Sequence, residues 1–287
     1  MFPASFEYHV PKSVPEAIGL LAQHKDAKVL AGGHSLLPSM KLRLAQPATL
    51  IDIGRINGLA SIVVDANGAT IGALTTHAMI ASSNDLKQRF PALIDAAKEI
   101  GDQQVRNRGT IGGSLAHADP AADYPAVMVA LNAEIHAIGM LGTRTIKATD
   151  FFVDLMTTAL KPDELLIEVR IPTLAPRTGS AYVKFPQPAS RFAIVGVCAC
   201  ITLDAQGVCT KASIGVTGAC ATASRASAAE AALRGKMLDD TVIAAAADQA
   251  AQGMSCLSDI HASSEYRAHL VTVMTKRAIQ AAMARVI

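Results

Sequence analysis

The stretch Val29-Leu30-Ala31-Gly32-Gly33-His34-Ser35-Leu36 is the feature from which the fold is best interpreted. The apolar run from Lys28 to Ala31 predicts a buried strand, and the glycine pair predicts a tight turn. Ser35 would cap a turn or short helix that begins at Leu36. Glycine allows backbone angles that other residues avoid, and it lacks the Cβ that would keep a ligand off the main chain. The free N–H groups of such a turn can converge on an anion.

A second stretch of the same character is Arg108-Gly109-Thr110-Ile111-Gly112-Gly113-Ser114. Two glycine loops far apart in sequence suit a ligand with two linked phosphates and a bulky group at each end. The alternative is that each glycine pair is only a tight turn. The chain has neither the Gly-x-x-x-x-Gly-Lys-Ser/Thr phosphate loop nor the Gly-x-Gly-x-x-Gly fingerprint of doubly wound dinucleotide-binding sheets.

Composition narrows the class of protein. The 287 residues are 51% hydrophobic and carry a formal net charge of +2, so the chain is globular, with about two domains expected from its length. No basic run or tryptophan supports nucleic-acid binding. The first ten residues do not form a secretory signal, and no uninterrupted apolar run is long enough to span a membrane. We therefore expect a cytoplasmic protein, associated with a membrane only through a complex.

The reactive side chains offer no convincing catalytic or metal site. The five cysteines contain no Cys-x-x-Cys pair, which favours buried structural roles and argues against an iron–sulfur cluster in this chain. A hydrolase built from Ser114, His117 and Asp119 lacks the Gly-x-Ser-x-Gly elbow. We predict no catalytic acid–base residue and no metal ligand.

Three other polar residues have open interpretations. His34 either donates to a phosphate oxygen or only packs. Asp123 lies in the first turn of a helix that Asp119-Pro120 would begin, where its carboxylate either accepts a hydroxyl hydrogen bond or offsets the helix dipole. Lys184 lies on a strand, and from the residues alone it is best interpreted as an edge charge that reaches water.

The order of elements indicates an α+β protein. A strand–helix unit fills the first fifty-odd residues, and its helix would begin at the capping box Ser13-Val14-Pro15-Glu16. In the next part Asn67-Gly68 marks a hairpin, and Pro91 would begin a helix. The composition changes near residues 172–180. Beyond it we expect three antiparallel strands, 181–185, 192–203 and 208–217, and then Ala-rich helices. The predicted domains are residues 1–55, 56–176 and 177–287.

The two glycine stretches, together with Gln104-Val105-Arg106-Asn107 before the second and Phe6-Glu7-Tyr8 near the start, carry a family resemblance. The whole chain resembles the FAD-binding medium subunit of molybdenum hydroxylases, of the aerobic carbon monoxide dehydrogenase type. The resemblance implies a two-part FAD-binding domain of the vanillyl-alcohol-oxidase/PCMH-like class, followed by a C-terminal domain of a three-stranded antiparallel sheet with helices. It also implies that residues 186–192 lie near the flavin ring.

The resemblance carries a set of cofactor contacts onto this sequence. The two glycine motifs would meet the FAD pyrophosphate, Asp123 would bind a hydroxyl, and Leu166 and Lys184 would lie near the flavin. The complete implied set is Val29, Leu30, Ala31, Gly32, Gly33, His34, Ser35, Leu36, Ile100, Thr110, Ile111, Gly112, Gly113, Ser114, Asp123, Leu166 and Lys184.

The resemblance further implies an oxidoreductase subunit that transfers electrons. Its partners would be a small subunit with two [2Fe-2S] clusters and a large molybdopterin subunit, in a dimer of heterotrimers. FAD here would pass electrons on to an external acceptor. The alternatives are a medium subunit for an aldehyde or an N-heterocycle hydroxylase, a stand-alone flavin oxidase, and an assembly subunit without flavin.

Overall fold

The computed structural model describes residues 2–286, and it confirms the α+β class. The first part is a three-stranded parallel sheet in the order β1-β3-β2 with two helices. Its elements are β1 (Glu7–His9), α1 (Val14–Gln23), β2 (Ala27–Leu30), α2 (Leu36–Lys41) and β3 (Thr49–Asp52). Ser13 caps α1 as predicted by accepting the Glu16 N–H, while the Glu16 carboxylate accepts from the Lys12 N–H.

The second part is a five-stranded antiparallel sheet in the order β4-β5-β10-β6-β7. Its strands are β4 (Ile62–Asp65), β5 (Gly68–Gly72), β6 (Glu134–Gly139), β7 (Gly142–Lys147) and β10 (Leu165–Pro172), and a small hairpin adds β8 (Phe152–Asp154) and β9 (Thr157–Thr158). The Asn67-Gly68 hairpin between β4 and β5 is confirmed. The helices between these strands are α3 (His77–Ser82), α4 (Asn84–Arg89), α5 (Pro91–Glu99), α6 (Gln103–Arg108), α7 (Ile111–His117), α8 (Tyr124–Ala130) and α9 (Ala148–Phe151).

The third part is an antiparallel sheet in the order β11-β12-β13-β14. It contains β11 (Thr178–Pro186), β12 (Ala193–Leu203), β13 (Cys209–Thr217) and β14 (Ser224–Arg225), followed by α10 (Ser227–Leu233), α11 (Asp240–Ala247) and α12 (Ser264–Met283). The predicted three strands are present, but the sheet has four. The chain reverses at Gly218, which has a positive φ, and two residues then pair with β13. A two-residue strand is too short to show an alternating pattern in the sequence.

Two further expectations about helices are wrong. The helix expected to begin at Asp119-Pro120 begins instead at Tyr124, because the Asp119 side chain and carbonyl accept the Ala121 and Ala122 N–H groups in a turn. The second glycine stretch is not a loop, since Ile111 to His117 form α7.

The apolar core runs across the three parts. Ala17 of α1 shares a cluster with Leu74 and Leu165. Tyr182 of β11 and Cys198 of β12 belong to the cluster that fills the second part. Cys198, Cys200 and Cys209 are buried, as expected for structural cysteines, whereas Cys220 and Cys256 are only partly buried. The domain limits stay a prediction. Across residues 2–286, the helices are all too short or too polar to cross a membrane.

Candidate functional site

The first glycine segment is the loop that follows β2. β2 lies at one edge of the parallel sheet, and its last residue, Leu30, accepts the Ile53 N–H. Gly33 has a φ of +76°, which other residues rarely adopt, so the turn requires glycine there. Ser35 occupies the N-cap position of α2, but its side chain makes no capping bond, contrary to the expectation.

The backbone N–H groups of residues 31–36 are free. Leu37 is the first residue after Leu30 whose N–H donates, to the Gly33 carbonyl, and residues 31–36 donate no main-chain hydrogen bond to any part of residues 2–286. His34 Nδ1 lies 3.2 Å from the Gly32 carbonyl oxygen, which folds its ring back on the loop. A row of unpaired N–H groups in a tight loop is a ready-made anion site.

The second glycine segment contributes differently. The Gly112 N–H donates to the Ala73 carbonyl at 2.9 Å, and the Gly113 N–H donates to Thr110 Oγ1 at 3.1 Å. The N–H groups of Ile111 and Ser114 are also bonded within the protein. This segment therefore supplies close packing and hydroxyl groups rather than free amides.

The glycines bring the two segments into backbone contact. A Cβ built on Gly32 would overlap the Arg108 carbonyl, and one on Gly113 would lie 3.8 Å from Ala31 Cβ. A Cβ on Gly112 would lie 2.6 Å from Ala73 Cβ, too close for any real side chain. The glycines thus let the main chain of the two segments pack closely, and we call the free N–H groups of residues 31–36 with the adjoining residues 108–114 the cradle. The free N–H groups of the first segment fit an anionic group such as the pyrophosphate of a dinucleotide.

Asp123 and Lys184 form a buried ion pair. Lys184 Nζ lies 2.9 Å from Asp123 Oδ1, and its side chain is only 1% exposed. The interpretation of Lys184 as an edge charge in water is therefore wrong. β11 is an edge strand, but the end of α5 and residues 187–192 cover it: Lys184 donates to the Glu99 carbonyl at 2.9 Å and to the Arg191 carbonyl at 2.7 Å.

Tyr182 completes this group, and sequence analysis missed it. Its hydroxyl donates to Asp123 Oδ1 at 2.6 Å. Burial raises the pKa of Asp123, with Lys184 and Tyr182 opposing that rise, and burial with the Asp123 charge raises the pKa of Tyr182 well above its usual value. The available signal was the spacing, because Tyr182 and Lys184 lie two apart and share a strand face.

The arrangement leaves one carboxylate oxygen for a ligand. An ammonium has three donors, and the protein acceptors around Lys184 Nζ already number three: Asp123 Oδ1 and two carbonyls. Asp123 Oδ2 receives no hydrogen bond from residues 2–286. It is also not one of the polar side-chain atoms that are both unpaired and closed off from solvent. Asp123 is thus oriented by Lys184 and Tyr182, with Oδ2 as the free acceptor.

The remaining predicted cofactor contacts are Leu166 and Ile100. Leu166 is buried on β10 next to an irregularity in the strand, and the following carbonyl, of Ile167, accepts the Ala73 N–H. Ile100 ends α5, and Arg106 donates to its carbonyl at 3.0 Å. Strand β10, the segment at Ala73 and helix α7 are therefore linked by consecutive main-chain hydrogen bonds.

His77 is a second residue that the sequence did not single out. It lies under Gly109, where a Cβ would approach His77 Nε2 to 2.5 Å, and its Nδ1 lies 3.2 Å from the Tyr124 hydroxyl. Burial is the main cause that lowers its pKa to about 4. His77 is therefore neutral at pH 7, and it packs against the second segment at Gly109.

Comparisons with known families identify the class of protein. Residues 4–174 match the model described as "FAD binding domain in molybdopterin dehydrogenase". Residues 180–282 match "CO dehydrogenase flavoprotein C-terminal domain". Together the two models account for nearly the whole chain.

Individual relatives are similar over the full length. The chain is 42% identical to the 6-hydroxypseudooxynicotine dehydrogenase complex subunit alpha of Paenarthrobacter nicotinovorans, over 99% of this chain and 97% of that one. It is also 42% identical to the carbon monoxide dehydrogenase medium chain of Hydrogenophaga pseudoflava, over 99% of both. The solved carbon monoxide dehydrogenase of the same organism that lacks the Mo-pyranopterin moiety superposes with a TM-score of 0.96, at 44% identity and 100% coverage of both chains.

Proposed function

This chain belongs to the FAD-binding medium subunits of molybdenum hydroxylases, and we propose that it passes electrons from the iron–sulfur clusters of a partner subunit to an external acceptor. It is an FAD-binding oxidoreductase subunit with a fold that matches carbon monoxide dehydrogenase. Bound FAD supplies a ring that can take electrons singly and deliver them in pairs. The role of this chain is to hold and orient that ring.

The observation that carries the proposal is the row of free N–H groups at residues 31–36 beside the main chain of residues 108–113. In the proposed site these amides donate to the pyrophosphate oxygens. Each such charge-assisted bond contributes about 1.5–3 kcal/mol. Gly112 allows α7 to pack closely against Ala73, and Thr110 and Ser114 would contribute hydroxyls.

Asp123 is proposed to bind a ribose or ribityl hydroxyl through Oδ2. Lys184 and Tyr182 hold its carboxylate in place, so they act as positioning residues in this structure. Residues 186–192, tied to Lys184 through the Arg191 carbonyl, would lie near the flavin ring. Leu166 and Ile100 would supply apolar contacts.

The proposed assembly contains a small subunit with two [2Fe-2S] clusters and a large molybdopterin subunit, in a cytoplasmic dimer of heterotrimers. The names of the relatives, which are the medium chain or a subunit of complexes, support the presence of partner subunits. The substrate would be oxidised on another chain. In keeping with this, relatives named for carbon monoxide and for 6-hydroxypseudooxynicotine match equally well.

The experiment uses the complete complex, purified once with the wild-type chain and once with Gly32→Ala, which should lack flavin. Carbon monoxide, aldehydes and N-heterocycles are added anaerobically, and cluster and flavin spectra are recorded. We expect one substrate to reduce clusters and flavin in the wild type. With Gly32→Ala it should reduce the clusters alone, and reduction of an added acceptor dye should fall at least tenfold. Unchanged dye reduction by a flavin-free complex would contradict the proposal.

A further inference from the structure

A group of three potential metal ligands lies at the edge of the parallel sheet. Glu7 and His9 are two residues apart on β1, so their side chains share one face of the strand. His24 is the residue that ends α1. β1 is an outer strand of its sheet, so the group is open to solvent on one side.

The three side chains converge. His9 Nε2 lies 3.7 Å from Glu7 Oε2, and the rings of His9 and His24 have centroids 5.0 Å apart. One ligand atom from each residue lies within 4.8 Å of the other two. Within residues 2–286, no other group of three or more His, Cys, Asp or Glu side chains meets this condition.

His9 Nε2 is the second observation that points to a ligand. The His9 side chain is 34% exposed, yet its Nε2 atom is closed off from solvent and has no hydrogen-bond partner anywhere in residues 2–286. An enclosed polar atom without a partner costs free energy, and such atoms are uncommon in folded proteins. A cation bound between His9, His24 and Glu7 would satisfy it.

The donor set selects the class of cation. Two imidazole nitrogens and one carboxylate oxygen form a set that Zn²⁺ uses, with a water molecule as fourth ligand. Mg²⁺ and Ca²⁺ prefer oxygen ligands throughout, so a single carboxylate would hold them poorly. Tetrahedral ligand atoms around Zn²⁺ lie about 3.4 Å apart, so small side-chain rotations would close the site.

We propose that Glu7, His9 and His24 bind one divalent transition-metal ion, with Zn²⁺ as the fitting ion. The ion would join the outer strand of the parallel sheet to the end of α1. None of the three residues belongs to the proposed FAD site, so this inference stands independently of the proposed function. Sequence analysis predicted no metal ligand, because Glu7 and His9 are separated from His24 by the whole of α1 and their spacing matches no metal motif.

The test is zinc titration of the full chain, free of any purification tag and of chelator, by isothermal calorimetry. We expect one Zn²⁺ per chain and a higher thermal midpoint with zinc. His9→Ala and His24→Ala should each weaken zinc binding at least tenfold and abolish the thermal shift. His269→Ala removes an exposed histidine outside the group and should leave both unchanged.

Glu7→Gln should leave the fold intact, because Glu7 is exposed. It should also weaken zinc binding. Flavin content and circular dichroism, measured on every variant, identify any that fail to fold. The proposal is overturned if the wild-type chain binds no zinc, or if folded His9→Ala and Glu7→Gln chains bind it as tightly as the wild type.

Discussion

At the scale of single residues, the site depends on glycines, because a Cβ atom at these positions would overlap neighbouring atoms. Gly32 is the clearest case, because any Cβ there would overlap the Arg108 carbonyl. The clash involves main chain on both sides, so no side-chain rotation relieves it. The sequence predicted that glycine matters here, but only the structure shows what the Cβ would meet.

The first prediction concerns Gly32→Ala. We expect the two segments to separate and the affinity for FAD to fall at least tenfold, measured by flavin release during dialysis. Gly19→Ala is the matched control, because nothing lies within 4 Å of a Cβ at Gly19 and this position is in the interior of α1. Equal loss of FAD in the two variants would mean that the contact at Gly32 does not shape the site.

The second prediction concerns the Asp123–Lys184 pair. Removing one partner of a buried ion pair leaves the other uncompensated, so Lys184→Met should lower the free energy of unfolding by about 3–5 kcal/mol. Asp123→Asn combined with Lys184→Met should cost less than the sum of the two single variants. Urea unfolding of the four proteins measures this. Strict additivity would show that the two side chains do not interact in solution.

The third prediction concerns His77 and acid pH. Its pKa is lowered to about 4 in the folded chain, against about 6.5 unfolded. Between these values the unfolded chain binds a proton that the folded chain does not, so stability falls as the pH drops from 6.5 to 4. The loss is about 3 kcal/mol. His77→Gln should remove this part of the pH dependence, and the exposed His269→Gln should not; identical wild-type and His77→Gln profiles would contradict the assignment.

At the scale of elements, residues 111–114 of the second glycine segment belong to helix α7 and not to a loop. The local signals were ambiguous because two adjacent glycines disfavour helix. Thr110 decides the outcome by accepting the Gly113 N–H, while Thr75 and Ala73 accept the N–H groups of Ile111 and Gly112. Thr75 and Ala73 lie on a distant part of the chain, so sequence reasoning could not supply them, whereas Thr110 is a local N-cap.

The fourth prediction follows from this cap. Thr110→Ala should destabilise the chain by about 1 kcal/mol, the usual cost of losing an N-cap side chain. Thr110→Ser retains the hydroxyl and should lose much less. Thermal unfolding compares the two variants. If Thr110→Ser proves as costly as Thr110→Ala, the methyl group rather than the cap is what stabilises α7.

The accuracy of the other sequence predictions also depends on whether the stabilising contacts are local or distant in sequence. Those set by local chemistry were predicted well: Ser13 caps α1, Asn67-Gly68 turns a hairpin, and Pro91 begins α5. Those set by distant partners were missed. Lys184 was assigned to solvent because its three acceptors come from α5, Asp123 and a turn, none of them visible from its neighbours in sequence.

At the scale of the whole molecule, the three parts of the chain are joined by contacts among the residues of the proposed FAD site. Ala31 and Gly32 come from the first part, residues 108–114 and Asp123 from the second, and Tyr182 and Lys184 from the third. The family resemblance drawn from the glycine motifs is confirmed over the full chain. The substrate of the complex has no signal in this chain, since the proposed chemistry takes place on a partner.

The most direct measurement is the flavin content of this chain purified together with its partners, with the released cofactor identified. The account predicts about one FAD per chain, bound in the cradle between residues 31–36 and 108–114, and its loss in Gly32→Ala but not in Gly19→Ala. FMN in place of FAD would contradict the account, because FMN has no pyrophosphate for the two segments to hold. So would a folded complex without flavin.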